Sequence, residues 1–358
     1  MRSNFSHLKV LELASVLAGP LTGSFFAELG ARVIKVENKT TEGDVTRTWR
    51  LPNEPNKGVS AYYAAANAHK ETVMLDLNQA DELNDLHELI SGADVLITNF
   101  KKGDDVKFSL DKSRLKQLNP KLIHGSIIGF AQDASRAAYD VVLQAETGFM
   151  SMNGQPEGPP TKMPVAMVDV LAAHQLKEGL LVALLTHAKH PDFYEVVVNL
   201  EHAAISALVN QASNYLMTNH VVGRKGSLHP NIAPYGELLL MKDNRHVVLA
   251  IGSDKQFNKL CQFLACEVLT RDQRFTNNTL RVANRTKLND LLQKQAHKFT
   301  STALLNYCKQ AHVPAGLIKT IDEVLDAPAG KALIDEEWIN GQKLSRVSNI
   351  AFQIKTDG

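Results

Sequence analysis

The chain has 358 residues, of which 44% are hydrophobic and 22% are charged, and its net charge is +1. This length and balance are typical of a globular protein with one large or two smaller domains. So small a net charge provides no extended field for a nucleic-acid backbone or an anionic membrane, and neither is expected as a partner.

The cysteine pattern and the apolar runs bear on the compartment. Cys261, Cys266 and Cys308 are too few and too irregularly spaced for a disulfide scaffold or a zinc site. The first two lie in an apolar helical pattern and are predicted to be buried. No secretory signal and no uninterrupted apolar run of membrane-spanning length is recognised. The expected location is cytoplasmic, and no metal cofactor is expected.

Short β-rich runs and helical patterns alternate in the N-terminal part. Residues 8–14 (LKVLELA) and 31–37 (ARVIKVE) predict strands, and residues 24–30 (SFFAELG) predict a helix between them. Gly19, Pro20 and Gly23 are predicted to end the first strand run before that helix. Such a strand–helix–strand unit implies parallel strands joined by a right-handed crossover.

The same alternation continues along the chain and predicts a doubly wound α/β domain. Further strands are predicted at residues 72–77, 94–100, 122–128 and 195–200, and further helices at 79–93, 169–188 and 201–217. Residues 153–164 (NGQPEGPPTKMP) predict a loop, and residues 222–235 are the best candidate for a linker. Residues 236–313 lose the alternation, which predicts a smaller α+β domain, and the strand and helix after them are predicted to return to the first domain.

A nicotinamide dinucleotide site is one alternative at the first strand–helix turn, because Glu37 ends the next strand, where an acid holds the ribose. The G-x-G-x-x-G pattern is broken, however. With Gly23 as its last glycine, Pro20 occupies the place of the second, and its ring prevents the backbone from approaching a pyrophosphate. No NAD is therefore expected.

Asp169 is the single carboxylate of the run KMPVAMVDVLAAHQL, where a loop gives way to a helix. One interpretation is a helix N-cap, and the other is a partly desolvated carboxylate that acts as a base or a nucleophile. His174 lies on another face of the same helix and is predicted to be an ordinary helix residue. Asp140 is interpreted as either catalytic or a structural acceptor. Lys101 and Lys102, after a predicted strand, fit either a phosphate site or a solvated turn.

Longer segments follow one another in a recognisable order. They are VLELASVLAGPLTGSFFAELGARVIKVE, GDVTRTW, ADVLITNFKKG, AYDVVLQAETGFMSMNG, GPPTKMPVAMVDVLAAHQLKEGLLVALL, HPNIAPYGELLLMKDNRHVVLAIGSDKQFNKL and RVANRTKLNDLL. The chain thereby resembles the class III coenzyme A (CoA) transferases of the formyl-CoA and carnitine-CoA type and the related 2-methylacyl-CoA racemases.

The resemblance implies an α/β fold with a Rossmann-like large domain, built on a parallel sheet, and a smaller inserted α+β domain. It implies a large domain from residues 1–200 and 315–358, a linker region at 201–235 and a small domain at 236–314. It also implies an interlocked homodimer.

The resemblance further implies the chemistry. Asp169 matches the catalytic aspartate, which attacks an acyl-CoA thioester and passes CoA to a carboxylic acid through anhydride and aspartyl-CoA intermediates. Backbone N–H groups near residues 15–18 are expected to stabilise the thioester oxygen. The residues expected to contact CoA are Ser15, Val16, Leu17, Ala18, Asn38, Leu75, Asn99, Phe100 and Lys101.

Departures from the family pattern limit the assignment. Relatives often have His, Gln or Arg at the positions of Ser15, Leu17 and Asn38, so this chain is less basic there. The residues expected to supply positive charge instead are Lys39, Arg47, Lys101 and Lys102. Tyr139 occupies the place of the racemase histidine, which favours transfer over racemisation. Racemase-like acid–base chemistry and a non-catalytic CoA-binding homologue remain the alternatives, and neither the acyl donor nor the acceptor acid is identified.

Overall fold

The computed structural model describes residues 4–55, 57–133, 135–339 and 341–355. The strands are β1 (Lys9–Leu13), β2 (Arg32–Asn38), β3 (Glu71–Leu75), β4 (Val95–Thr98), β5 (Ile123–Ile128), β6 (Tyr194–Asn199), β7 (Tyr235–Leu240), β8 (His246–Ala250), β9 (Ala315–Leu317), β10 (Ile334–Ile339) and β11 (Gln342–Val347). The helices are α1 (Ala18–Glu28), α2 (Ala61–Asn67), α3 (Ala80–Ser91), α4 (Asp104–Lys107), α5 (Lys112–Leu118), α6 (Asp140–Glu146), α7 (Phe149–Met152), α8 (Met167–His187), α9 (Leu200–Ser206), α10 (Val209–Thr218), α11 (Asp254–Phe263), α12 (Asn278–Ala283), α13 (Arg285–Ala296), α14 (Ser301–Ala311), α15 (Ile321–Leu325) and α16 (Pro328–Lys331).

The first compact unit contains a six-stranded sheet in the order β3-β2-β1-β4-β5-β6, and every neighbouring pair is parallel. This is the strand order of the Rossmann fold, and it confirms the predicted doubly wound α/β architecture. The chain winds outward from β1 to β3 and then returns to β4. The order therefore reverses between β1 and β4, and the carboxyl ends of these strands flank the crevice where such sheets bind ligands.

Alternating side chains of the strands divide the core of this unit into two layers. Val10 of β1 packs with the layer that contains α1 and α8, whereas the next residue, Leu11, packs with the layer that contains α3 and α5. Buried residues on both faces are expected of a parallel sheet that is covered by helices on each side.

Strand β1 ends before residues 19–23, as predicted, but helix α1 begins six residues earlier than the sequence predicts and contains these residues. The two glycines serve close packing instead. A Cβ on Gly19 would lie 2.4 Å from the Cβ of Ala14, and one on Gly23 would lie 1.8 Å from Oε2 of Glu12. Pro20 falls in the first helical turn, where a backbone N–H has no partner within the helix.

The contacts divide the chain into two units. One contains the described residues of 1–150, 162–222 and 328–358, and the other those of 151–161 and 223–327. The predicted boundaries differ from this division in three ways. Residues 151–161 lie in the second unit rather than in the large domain, α9 and α10 lie in the first unit rather than in a linker, and β9 pairs with β8 of the second unit. Because this division is one of contacts and not of folding, the predicted domain boundaries stay a prediction.

The second unit is built on the antiparallel sheet β7-β8-β9, with α11, α13 and α14 contributing to its apolar core. Cys261, Cys266 and Cys308 are buried in that core as free thiols. The predicted burial of Cys261 and Cys266 is confirmed.

Candidate active site

A cavity of about 540 Å³ lies in the first unit at the carboxyl ends of β1 to β4. Six residues that were predicted to contact CoA line it: Ser15, Asn38, Leu75, Asn99, Phe100 and Lys101. The other three, Val16, Leu17 and Ala18, are outside the lining and continue from Ser15 into the start of α1. The cavity wall combines apolar side chains such as Phe108 with polar ones, as small-molecule sites commonly do.

The turn between β1 and α1 is held by side chains from neighbouring loops. Asn99 accepts the N–H of Ser15 at 3.0 Å and donates to the carbonyl oxygen of Ser15 at 2.8 Å. The carboxylate of Asp44 accepts the N–H of Val16 at 3.2 Å. Val16 has a φ of 71°, a conformation that is strained for a β-branched residue.

These contacts narrow the expected set of oxyanion donors. The N–H groups of Ser15 and Val16 are already bonded to side chains, so they do not point freely at a ligand. Among the described residues, the N–H groups of Ala18 and Gly19, in the first turn of α1, have no acceptor within the protein. A carbonyl oxygen that gains negative charge near this helix end would meet unbonded donors and the positive end of the helix dipole.

Glu37 is not available to a ribose, because its carboxylate is used within the protein. It accepts hydrogen bonds from Nε of Arg47 at 2.6 Å, from the hydroxyl of Tyr63 at 2.6 Å and from the N–H of Asp44 at 2.8 Å. Burial alone would raise the pKa of Glu37, but these hydrogen bonds outweigh burial and the pKa is lowered. Glu37 thereby anchors the loop that carries Asp44.

Two of the four basic residues that were expected to supply charge for a CoA phosphate are engaged elsewhere. Arg47 is bound to Glu37, and Lys39 forms an exposed ion pair with Glu82 at 2.8 Å. Lys101 lines the cavity and, among the described residues, forms no ion pair. It is therefore the best placed cation for an anionic ligand in this cavity.

Asp169 lies in the first turn of α8 and is half-buried. The N-cap of this helix is Ala166, so the interpretation of Asp169 as an N-cap is wrong. Within the described part of the chain, the Asp169 carboxylate accepts no hydrogen bond. Burial, and then the negative charge of Asp140, raise its pKa to about 7.

Asp140 has the role of a structural acceptor. Its carboxylate accepts the N–H of Val168 at 2.7 Å and the side-chain amide of Gln144 at 2.6 Å. Gln144 in turn accepts the N–H of Met163 at 2.8 Å, which ties down the loop before α8. Asp140 thus provides an acceptor for one of the unpaired N–H groups in the first turn of α8, the helix that contains Asp169.

The start of α8 lies beside the start of α1. Both helices are crossovers of the same parallel sheet, so they run in the same direction. The hydroxyl of Thr22 in α1 contacts the carbonyl oxygen of Ala173 in α8 at 3.4 Å. One turn earlier on each helix lie Ala18 and Asp169, which brings the unbonded donors of α1 and the carboxylate to the same end of the helix pair.

Tyr62 is a residue of this site that the sequence did not reveal. Burial, and then the charges of Asp169, Asp140 and Asp44, raise the pKa of its phenol. Its ring packs edge-on against Trp49, with 5.1 Å between the ring centres. Tyr62 lies in α2, for which the sequence predicted no role. The segment GDVTRTW, which contains Trp49, was the nearest part of the site with a recognisable pattern.

Two other residues that the sequence analysis considered are exposed to solvent. His174 is exposed on α8, and Tyr139, which takes the place of a racemase histidine, is 59% exposed. Among the described residues, no three His, Cys, Asp or Glu side chains are grouped so as to hold a metal ion. In that same part of the chain, no helix has both the length and the apolar character needed to cross a membrane.

Comparison with known proteins identifies the class. The sequence model described as CoA-transferase family III matches residues 5–357. The chain is 36% identical over 334 residues to a succinate–glutarate CoA-transferase of Agrobacterium fabrum, covering 91% of this chain and 83% of the relative. It is 30% identical over 329 residues to an acetyl-CoA:oxalate CoA-transferase of Acetobacter aceti, covering 90% and 83%.

A solved structure agrees with the sequence comparisons. A CaiB/BaiF family protein from Brucella suis superposes with a TM-score of 0.88 at 36% identity, over 98% of this chain and 93% of that one. This chain belongs to CoA-transferase family III. It is a class III CoA-transferase, which confirms the resemblance seen in the sequence.

Proposed function

We propose that this CoA-transferase moves CoA from an acyl-CoA thioester to a carboxylic acid through covalent intermediates on Asp169. The main support is the environment of the Asp169 side chain. Its carboxylate is half-buried, accepts no hydrogen bond from the described residues and has a pKa of about 7. A carboxylate with a raised pKa and few hydrogen bonds is a stronger nucleophile than a solvated one. With this pKa, about half of the Asp169 side chains are ionised at pH 7.

The proposed cycle has four displacements. The Asp169 carboxylate attacks the thioester carbonyl, which expels the CoA thiolate and leaves a mixed anhydride. The thiolate attacks the aspartyl carbonyl, which releases the donor acid and forms an aspartyl-CoA thioester. The acceptor carboxylate then attacks this thioester, which again expels the thiolate. Finally the thiolate attacks the acceptor's carbonyl, which gives the new acyl-CoA and restores the Asp169 carboxylate.

Each displacement places negative charge on a carbonyl oxygen. The unbonded N–H groups of Ala18 and Gly19 support a role as its donors, since they lie at the end of α1 that neighbours Asp169. The positive end of the α1 dipole acts in the same direction.

We assign CoA to the cavity at the carboxyl ends of β1 to β4. Its apolar wall, which includes Leu75 and Phe100, suits the adenine ring, and Lys101 suits a phosphate group. The relatives are named for succinate, glutarate, acetyl-CoA and oxalate. Succinyl-CoA and acetyl-CoA are therefore the first donors to test, with glutarate and oxalate as acceptors.

A homodimer is part of the proposal. Large apolar side chains are exposed on three successive helices of the first unit, as expected of a surface that pairs with another chain. They are Val182 and Leu185 of α8, Ile205 of α9, and Val209, Leu216 and Met217 of α10. Light scattering on the purified protein tests this; a monomeric mass at micromolar concentration would exclude a stable dimer.

The covalent route is tested by the intact mass of the protein after incubation with each acyl-CoA and trapping with hydroxylamine. The wild-type protein, Asp169→Ala and Asp81→Ala are compared. Asp81 is a matched control because it is an exposed acid in the first turn of α3, away from the cavity.

The proposal expects a hydroxylamine-sensitive adduct on wild type and Asp81→Ala, and none on Asp169→Ala. Transfer of CoA without any trapped adduct on wild type would remove the aspartyl route. Exchange of the α-proton in deuterated water without transfer would instead support racemase-like chemistry, and CoA binding without either reaction would support a binding homologue.

A further inference from the structure

We propose that Asn99 and Asp44 are positioning residues, which clamp the turn between β1 and α1 so that the first turn of α1 stays against Asp169. The inference rests on the proposed role of Asp169. It changes the predicted role of Asn99 from a CoA contact to a residue that acts through the backbone.

Four consecutive backbone polar groups in this turn are each bound by a side chain. Nζ of Lys35 donates to the carbonyl oxygen of Ala14 at 2.7 Å. Asn99 binds both the N–H and the carbonyl oxygen of Ser15, at 3.0 and 2.8 Å. Asp44 accepts the next N–H, that of Val16, at 3.2 Å. The three side chains come from β2, from the residue after β4 and from the loop after β2, so they hold the turn from both sides.

The turn needs such holding because its backbone is strained. Val16 has a φ of 71°, where the branched Cβ clashes with its own backbone. Strained conformations of this kind persist only where the surroundings enforce them. Without the clamp, residue 16 would relax to a negative φ, and the donors that follow it in α1 would turn away.

A buried group of charges forms the base of the clamp. Lys35 lies 2.9 Å from Glu12 and 3.0 Å from Asp44, and Lys70 lies 2.7 Å from Glu12. All four side chains are at most 1% exposed. Opposite charges packed without water hold fixed geometry, since each displaced partner would leave an uncompensated buried charge.

Asn99 is the residue on which to test the clamp, because its removal leaves this buried group intact. Its amide bonds Ser15 with both the oxygen and the nitrogen, so the turn sets its orientation. If Asn99 acts as a clamp, Asn99→Ala should lower kcat for CoA transfer by roughly 10- to 100-fold, because misplaced N–H donors stabilise the transition state less well. The KM for acyl-CoA should stay within about twofold of wild type. A CoA contact predicts a raised KM with kcat unchanged, and that result would overturn the inference.

Asn119 provides a matched control for lost stability. Its side-chain amide also ties down a turn, by donating to the carbonyl oxygens of Ile90 and Ala93 at 3.1 and 2.8 Å, outside the cavity lining. Asn119→Ala should lower the Tm as Asn99→Ala does and leave kcat unchanged. Equal losses of kcat in the two variants would show a general loss of stability and overturn the inference.

Rescue separates the clamp from a merely structural role. Glycine adopts a positive φ without strain, so adding Val16→Gly to Asn99→Ala should restore part of the lost kcat, whereas adding Val16→Ala should not. No difference between the two double variants would contradict the strained-turn argument. Because kcat is measured on CoA transfer itself, these outcomes hold whether or not an Asp169 adduct is trapped. A missing adduct on wild type would remove only the aspartyl route.

Discussion

The Asp140 carboxylate accepts the backbone N–H of Val168 at 2.7 Å, one residue before Asp169. Asp140 therefore acts on its neighbour in two ways. As an acceptor, it binds a backbone N–H that has no partner within α8, and it thereby fixes the helical turn from which the Asp169 side chain projects. As a charge, it is the second cause, after burial, of the raised pKa of Asp169. Asp140→Asn removes the charge and keeps an oxygen for the N–H of Val168, while its amide nitrogen no longer accepts the hydrogen bond of Gln144.

Asp140→Asn should move the pH profile of the enzyme. If the ionised Asp169 attacks the thioester, kcat/KM of wild type rises with pH through about 7. Asparagine retains an oxygen for the N–H of Val168 but has no charge, so the rise should shift to lower pH by roughly one unit. The measurement is kcat/KM from pH 5 to 9, with Asp81→Asn as the control. A profile that does not move would show that Asp140 acts only through the helix start.

Asp169→Asn should stabilise the protein at high pH. The pKa of Asp169 is 3.8 in its ordinary state and about 7 in the folded protein, so protonation favours the folded state. The carboxylate therefore costs the wild type stability as pH rises from about 4 to 7, and the cost is constant above 7. At pH 8 the variant should gain about 2 kcal/mol in free energy of unfolding, after allowance for partial solvent access.

The measurement is urea unfolding of wild type and Asp169→Asn at about pH 3 and pH 8. The gain should nearly vanish at the lower pH, which lies below both pKa values of Asp169, so that its side chain is neutral in the folded and in the unfolded state. An equal gain at both pH values would mean that packing, rather than ionisation, distinguishes the two side chains.

Lys101→Ala should weaken acyl-CoA binding and leave the chemistry intact. A lysine without an ion pair in the described residues, at the wall of the cavity, attracts a phosphate group, and its loss should raise the KM for acyl-CoA by roughly tenfold. The effect should shrink at high salt because ions screen exposed charges. Lys39→Ala is the control, since Lys39 is paired with Glu82. A fall in kcat at constant KM would place Lys101 in catalysis instead.

The sheet of the first unit was largely predictable because its strands are apolar on both faces. The runs at 8–14, 31–37 and 94–100 match strands β1, β2 and β4 to within two residues at each end. The start of α1 was not predictable in the same way. Glycine and proline at 19–23 locally disfavour a helix, and only the tertiary packing on Ala14 and Glu12 shows why α1 has glycines there.

The candidate site was predictable where one residue carries the pattern and not where several elements meet. Asp169 is visible as a lone carboxylate in an apolar run. Asp44 and Tyr62 have no such signal, since their roles depend on a loop and a helix that return to the same strand end. Asn99 was found, but its two hydrogen bonds to Ser15 depend on the neighbouring strand, which no local pattern encodes.

Gly23→Ala should destabilise the protein although alanine is the better helix former. In the interior of a helix this change usually gains about 1 kcal/mol. Here the new Cβ would lie 1.8 Å from Oε2 of Glu12 and 3.3 Å from Cε of Lys70, and would force apart a fully buried ion pair. A loss of about 3–5 kcal/mol is expected, because each charge would lose its partner away from water.

Gly92→Ala is the control for this change, since its Cβ would meet no atom closer than 4.0 Å. Thermal unfolding of the two variants should separate them clearly, with the Tm lowered only by Gly23→Ala. Similar Tm values would mean that Glu12 and Lys70 can move apart without cost. The buried charges would then be too loosely held to form the base of the clamp under Val16.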